Sequence, residues 1–434
     1  MNGFWIVFYN LFLVPLLYGG LRLGGLWIDK IKKGIQGRRT LFETLQLQLS
    51  RLQANRPRIW FHVASYGEFE QTKPVLNALR QKFTDAYLIL SFFSPSGYEH
   101  ARNYPAVDVI TYLPFDSFSQ ARKFVTLVQP TVAVIVRHDI WPNHLWQLNR
   151  HRIPIFLISA SLPETTMRLL PVIRSFNKHL YRYFTQVLAI SEESTRRLKK
   201  LYPFEQRLRV IGDTRYDQVY QRSLETEKLK FLSSATVLQN KTIFVAGSTW
   251  PSDEKHLFPA FQKLSQQRQN LVMILVPHEP SPERISQIKE QLSQMQLTYI
   301  SLSDYQQWPS GKNVDVLIVD KMGLLANLYS LGQFAYVGGS FGPGVHNVLE
   351  PAVYGIPVFF GPRMRNSFEA EKLISVGAGF VVRDAKEIYE KLNQFLTDTE
   401  ETKKIGRLAR DMVMKNLGAS EKVVELIGTY LTCQ

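Results

Sequence analysis

The sequence predicts an α/β protein of two doubly wound halves, preceded by an apolar N-terminal segment. Three observations carry this. From Arg58 onward, short runs of apolar and β-branched residues alternate with helical stretches. The alternation pauses over the polar stretch 221–241 and then restarts. Residues Met1 to Leu21 contain no Asp, Glu, Lys or Arg. Strands that are apolar throughout belong to parallel sheets covered by helices on both faces.

The N-terminal run is about the length a helix needs to cross a bilayer core, roughly 20 residues. After it come Arg22, Lys30, Lys32, Lys33, Arg38 and Arg39, against the one acid Asp29. Cations on that side keep it in the cytoplasm. Asn10, Pro15, Gly19 and Gly20 interrupt a regular spanning helix, so an in-plane helix with a basic collar fits the same residues. The first half then offers strands at 59–64, 87–92, 108–112, 132–136, 153–158, 187–190 and 208–211. The second offers 242–246, 271–276, 314–319, 334–337 and 357–360. Three helices close the chain, at 386–398, 402–415 and 420–431. The expected domains are an anchor with its collar over 1–40, a Rossmann-like domain over 41–225 and a second over 226–434 with the C-terminal helices.

Apolar residues make up 45% and charged residues 21% of the 434, which excludes a mainly disordered or multi-span chain. A formal charge of +15 selects anionic partners. The lone cysteine, Cys433, rules out an internal disulfide and a Cys-built metal site. The sequence contains no H-E-x-x-H, D-x-D or Walker A pattern, so neither a metal centre nor a P-loop is expected.

In doubly wound sheets, ligands lie beyond the carboxyl ends of the strands. The polar motifs of this chain fall there. Ser65-Tyr66-Gly67-Glu68 follows the first strand, where Glu68 reads either as part of a capping box or as a general base. Ser94-Pro95-Ser96-Gly97 is a turn that can also hold hydroxyls or phosphate. In Arg137-His138-Asp139-Ile140-Trp141-Pro142-Asn143, Pro142 opens a helix, while Arg137 and Asp139 read as a surface ion pair or as substrate contacts. In Gly212-Asp213-Thr214-Arg215-Tyr216-Asp217, Arg215 reads as a cation for a leaving phosphate or as the partner of Asp213 or Asp217.

The richest motif runs from Gly338 to Glu350. Its four glycines in seven residues suggest close approach of backbone to a ligand. A helix start near His346 would supply a phosphate site. Asn347 and Glu350 would share a helix face, with Glu350 placed for ribose hydroxyls. Ala246-Gly247-Ser248-Thr249-Trp250, Pro277-His278-Glu279 and Asp320-Lys321-Met322-Gly323 also follow strands.

Taken together, these motifs resemble those of bacterial 3-deoxy-D-manno-octulosonic acid (Kdo) transferases over nearly the whole chain. The resemblance implies a GT-B fold, two Rossmann-like domains facing a cleft, and CMP-Kdo as a donor used without a metal or other cofactor. It places the catalytic base on Glu68. Nucleotide contacts fall on Pro277 and His278, on Met322, Gly323 and Leu324, and on Asn347, Val348, Leu349 and Glu350. Arg215 stands where the family has a Lys that supports the transition state. Arg137 and Asp139 replace a Glu-x-Glu pair, His278 replaces an Arg, and Ser159-Ala160-Ser161 replaces Asn-Ala-Arg. The changes fall on the charge network around the transferred sugar.

The implied reaction is an inverting transfer of Kdo to the lipid A precursor at the cytoplasmic face of the inner membrane. A single N-terminal anchor and anionic lipids would hold the enzyme there. Two other readings compete: a GT-B enzyme using a UDP-sugar on a lipid-linked acceptor, and a membrane-anchored nucleic-acid-binding protein. The charge concentrated beside an apolar segment, and the lack of a nucleic-acid module, argue against nucleic acid as a partner.

Overall fold

The computed structural model of the protein describes residues 2–163, 165–225, 238–305 and 313–431. Part of the polar stretch 221–241, and Cys433, lie outside these. The chain forms two compact units: Met1–Gln218 with Leu417–Gln434, and Val219–Asn416.

In the first unit a helix runs over Gly3–Trp27, long and apolar enough to cross a membrane and with little of its surface buried. It contains a π-helical turn at Tyr9–Leu13. One of its faces is fixed to the unit by polar contacts. The Tyr9 hydroxyl donates to Asp116 at 2.8 Å, the amides of Asn10 and Asn143 pair reciprocally at 3.0 Å, and Gln120 donates to the Tyr18 hydroxyl at 3.0 Å. A second helix, Asp29–Gly37, carries Lys30, Lys32 and Lys33.

Arg38 departs from the expected collar. Its guanidinium donates to the carbonyls of Leu113, Gly34 and Phe93 and lies against the rings of Phe93, Tyr112 and Phe115. Burial lowers its pKa to about 10. This cation therefore ties the helix Asp29–Gly37 to the domain through carbonyl oxygens and aromatic faces instead of meeting a surface.

Seven parallel strands form the core of the first unit. They are β1 (Arg58–Val63), β2 (Tyr87–Phe92), β3 (Val109–Tyr112), β4 (Val132–Val136), β5 (Ile155–Ala160), β6 (Gln186–Ala189) and β7 (Leu208–Val210). Their order is β3-β2-β1-β4-β5-β6-β7, the doubly wound pattern in which the chain reverses direction beside its first strand. One face packs Trp60, Ile89, Phe124 and Leu157. The other packs Phe61, Leu90, Val134 and Ile158 with Val423, Val424 and Ile427 of the last helix, Ala419–Leu431. That helix was expected in the second domain. It returns to the first because its apolar face completes this core and because Asp217 accepts the amides of Gly418 and Ser420, at 2.7 Å each, at its N-terminus.

The second unit holds β8 (Thr242–Thr249), β9 (Leu271–Pro277), β10 (Tyr299–Ser301), β11 (Val316–Ile318), β12 (Phe334–Val337), β13 (Val358–Phe360) and β14 (Gly379–Val381). All are parallel, in the order β10-β11-β9-β8-β12-β13-β14. The edge strands β10 and β14 were not anticipated.

Both sheets carry a register irregularity near a strand end. It lies between Leu157 and Ala160 in β5 and between Gly247 and Thr249 in β8. Ser159 (φ 50°) and Ser248 (φ 51°) are left-handed there, and so is Arg137 (φ 63°) just after β4. Non-glycine residues adopt this conformation at a cost, and such positions cluster at functional sites.

Candidate active site

In the first unit the motifs meet at the carboxyl edge of the sheet. After β1 the chain turns at Ser65 into the helix Tyr66–Lys82. The Ser65 side chain makes no capping hydrogen bond. Glu68 instead reaches back, and its Oε2 accepts the Ala64 amide at 2.6 Å. The carboxylate is thus held by backbone at the strand end, and the residue is only 8% exposed. Burial raises its pKa. The Ala64 amide and the charges of Arg137 and His62 oppose that rise, and Asp139 adds to it. The structure therefore brings Glu68, Arg137 and Asp139 into one electrostatic cluster.

Asp139 does not form the surface ion pair with Arg137 that the motif allowed. Its Oδ2 meets His62 Nε2 at 2.9 Å, and the other ring nitrogen of His62 meets the Ser91 hydroxyl at 2.9 Å. Burial pushes the Asp139 carboxyl up, but the hydrogen bond and charge of His62 outweigh it and hold the carboxyl below the ordinary aspartate range. His62 was missed by the sequence reading. The signal was a histidine inside an otherwise apolar strand, a position that needs two polar partners once buried.

Arg215 is gripped locally. Its Nε and Nη2 donate to Asp213 Oδ2 at 2.9 and 2.6 Å, and its amide donates to Oδ1 at 2.9 Å. Ser159 meets the hydroxyl of neighbouring Thr214 at 3.1 Å, which ties the end of β5 to the same loop. In the turn after β2, Gly97 is required because a Cβ there would strike the Phe92 ring and the Ser65 backbone. This close approach seats the Ser94–Gly97 turn against the start of the Glu68 helix.

The carboxyl edge of the second sheet is built from rings. His278 follows β9, and its amide donates to the Thr249 carbonyl at 3.0 Å. Its ring stacks over Trp250, at 4.7 Å, and over His346, at 4.5 Å, whose own centroids are 6.4 Å apart. The Trp250 indole donates to His346 Nε2 at 2.9 Å, so that nitrogen is an acceptor. Burial, and then His278, lower the His346 pKa, which agrees with a neutral ring.

The Gly-rich turn differs from its expected role. A Cβ on Gly338 would meet the Ser248 carbonyl, one on Gly339 would meet the Gly344 carbonyl and the His346 ring, and one on Gly344 would meet Asn366. The glycines serve close packing of protein on protein.

The turn's amides are also engaged. Asp253, fully buried, accepts the amides of Trp250 (2.9 Å), Gly339 (2.8 Å) and Phe341 (3.3 Å) and the Tyr336 hydroxyl (2.8 Å). Those of Gly342 and Gly344 go to the Gly339 carbonyl, and that of His346 to Gly338. Sequence reading missed Asp253. The signal was an acid three residues after Trp250, the position that completes a capping box.

The helix expected near His346 begins instead at Leu349 and ends at Ala352. Asn347 precedes it. Its side-chain oxygen accepts the Leu349 amide at 3.1 Å, and its amide group lies 3.4 Å from Glu350 Oε1. Arg222 lies 3.7 Å from the same Glu350 oxygen. Val348 and Leu349 are buried, so their side chains belong to the core. Met322 is exposed, and Gly323 (φ 85°) has open space where a Cβ would stand. Leu325 and Tyr329 then carry that segment back against Gly247. Among the described residues, no three His, Cys, Asp or Glu side chains gather as a metal-ligand group.

Residues 38–218 match the family described as 3-deoxy-D-manno-octulosonic-acid transferase (kdotransferase). The 3-deoxy-D-manno-octulosonic acid transferase of Haemophilus influenzae is 27% identical over 380 residues, covering 86% of this chain and 87% of that protein. The chain is similar to Kdo transferases over most of its length, and it is a glycosyltransferase.

The family member from Aquifex aeolicus is 25% identical, with 86% of this chain and 91% of that one covered. Fold likeness extends to a UDP-GlcNAc 2-epimerase from Neisseria meningitidis solved with UDP-GlcNAc. Its TM-score is 0.62 at 14% identity, and the match covers 86% of this chain and all of that one. The fold class is GT-B. In this chain Arg137 supplies a cation beside Glu68.

Proposed function

We infer that the protein transfers Kdo from CMP-Kdo to the lipid A precursor, an acylated and phosphorylated glucosamine disaccharide, by an inverting displacement that needs no metal. The observation that carries this is Glu68: a carboxylate buried at a strand end, anchored by the Ala64 amide and raised in pKa. A base with those properties takes a proton from a sugar hydroxyl as that oxygen attacks the anomeric carbon. The C–O bond to the cytidylate breaks in the same step, which inverts the configuration. Arg215, oriented by Asp213, supplies positive charge for the departing phosphate.

The donor's nucleotide is assigned to the second unit, at Pro277 and His278, at Met322, Gly323 and Leu324, and at Asn347 through Glu350. The stacked rings of Trp250, His278 and His346 give that edge flat apolar surfaces. With its turn amides engaged, the Gly338–Gly344 segment shapes the wall rather than binding phosphate.

The enzyme sits at the cytoplasmic face of the inner membrane, held by its N-terminal helix and attracted to anionic lipid. The outward residues support this: Leu16 is 72% and Trp27 78% exposed on the helix, and Met167 and Val172 are exposed beside it. Trp5 against Phe176, 5.2 Å between ring centroids, joins the two patches. The polar contacts of Tyr9, Asn10 and Tyr18 hold the helix along the domain, an arrangement suited to lying in the interface with one face in lipid.

The test is incubation of purified protein with CMP-Kdo and lipid A precursor, followed by mass spectrometry. A product heavier by one or more Kdo units is expected. CMP, and not UDP, should raise the melting temperature. Stabilisation by UDP alone would move the donor to a UDP-sugar.

A further inference from the structure

Two apolar cavities lie between the N-terminal helices and the body of the first unit, with volumes of about 260 and 240 Å³. Leu21, Phe93 and Phe115 line both. Ile31 and Ile35 add apolar wall to the first, and Val14 and Leu17 to the second.

Most polar groups around them are already satisfied by protein, the buried Trp141 Nε1 being an exception. Asp116 accepts the Tyr9 hydroxyl, the amides of Asn143 and His144, and His144 Nδ1. Arg38 spends its donors on three carbonyls. A polar ligand would find few partners on these walls, whereas hydrocarbon gains by leaving water.

Each cavity also touches the candidate active site. Ser65, the residue that starts the Glu68 helix, lines the first. Trp141, which stacks on Phe93 at 4.7 Å and stands two residues after Asp139, lines the second. At the other end, the helix that supplies Leu17 and Leu21 turns its exposed apolar side outward. Lys30 stands in the lining of the first cavity, a cation where an anionic headgroup would enter. Apolar lining thus runs from the lipid-facing helix to the foot of the catalytic cluster.

We propose that these neighbouring cavities seat a fatty-acyl chain of the acceptor, so that the chain positions the acceptor sugar against Glu68. This rests on the acceptor reading given above and adds where its hydrocarbon lies. The enzyme would then recognise the acceptor through its acyl chain while the chain stays continuous with the membrane.

The experiment compares lipid A precursor with the same disaccharide stripped of its acyl chains, both in one detergent. The quantity read is the ratio of kcat/KM for the two acceptors. Leu21→Trp and Ile31→Trp fill the cavities from the helix side and should each lower that ratio at least tenfold, mainly through KM for the acylated acceptor. A ratio equal to that of the natural protein in both variants would overturn the proposal, whatever the overall rates.

A second readout does not depend on transfer. A brominated acyl glucosamine lipid should quench the part of the tryptophan emission that Trp141→Phe removes, and should do so less in Leu21→Trp. Absence of that quenching would also overturn the proposal. A natural protein that binds this lipid but transfers sugar to neither acceptor would refute the function while leaving the acyl site standing.

Discussion

The two units share one topology and use its carboxyl edge in opposite ways. In the first, Glu68, Asp139, His62 and Arg137 gather there, so the edge is charged and its pKa values are pulled apart. In the second, the acids that follow β8 are spent inward. Asp253 holds the Gly338–Phe341 turn, and Glu254 pairs with Arg284 and accepts from Thr249 at 2.9 Å. What faces outward there is a row of rings. The difference teaches that the same scaffold can present chemistry at one edge and shape at another, according to whether its acids are aimed at the reaction or at the backbone.

The sharpest way to break this comparison is Glu68→Gln. If the first edge does the chemistry, transfer should fall by roughly 10²–10⁴-fold, with CMP binding and melting temperature near those of the natural protein. Single-turnover rates and thermal shift with CMP check this. Near-normal turnover would strip the first edge of its assigned role.

Asp253→Ala should behave in the opposite manner. It leaves buried donors of Trp250, Gly339, Phe341 and Tyr336 without their acceptor, and each such loss costs about 1–3 kcal/mol. A loss of at least ~3 kcal/mol is expected, together with weaker CMP binding, measured by denaturant unfolding and calorimetry. Retention of full stability would mean the turn needs no such support.

The smallest effect is a shift of pH profile. Glu68 must be ionised to act, and its pKa is raised, first by burial and further by Asp139. Asp139→Asn removes that negative neighbour, so the Glu68 pKa falls and the acidic limb of kcat/KM moves to lower pH. Arg137→Met removes a cation that favours the ionised form, so the limb moves to higher pH. Limbs that stay in place would separate these residues from Glu68.

Much of this was legible in the sequence. Continuous apolar runs marked twelve strands, because a strand buried on both faces leaves no choice of residue. Glu68 was legible because it follows such a run within four residues of a turn. The use of glycine was not. Four glycines in seven residues say that something comes close, but only the structure shows that it is Ser248, His346 and Asn366. His62 and Asp253 escaped for a related reason: each acts through a partner distant in sequence, Asp139 and the Gly339 turn, and no local spacing encodes those pairings. Arg38 looked like one cation among several, although carbonyls of Leu113 and Phe93 had already claimed it.

The return of Ala419–Leu431 to the first unit bears on how the chain is made. Val423, Val424 and Ile427 fill one face of the first sheet, Tyr430 meets Phe156 at 5.2 Å, and Gly428 lies against Phe83. A ribosome delivers these residues only after the whole of the other unit. The lobe synthesised first must therefore wait, with an open apolar flank, for the closing piece. Shortened versions that stop near Gln218 should accordingly go to inclusion bodies, whereas appending the final helix through a short linker should return them to solution.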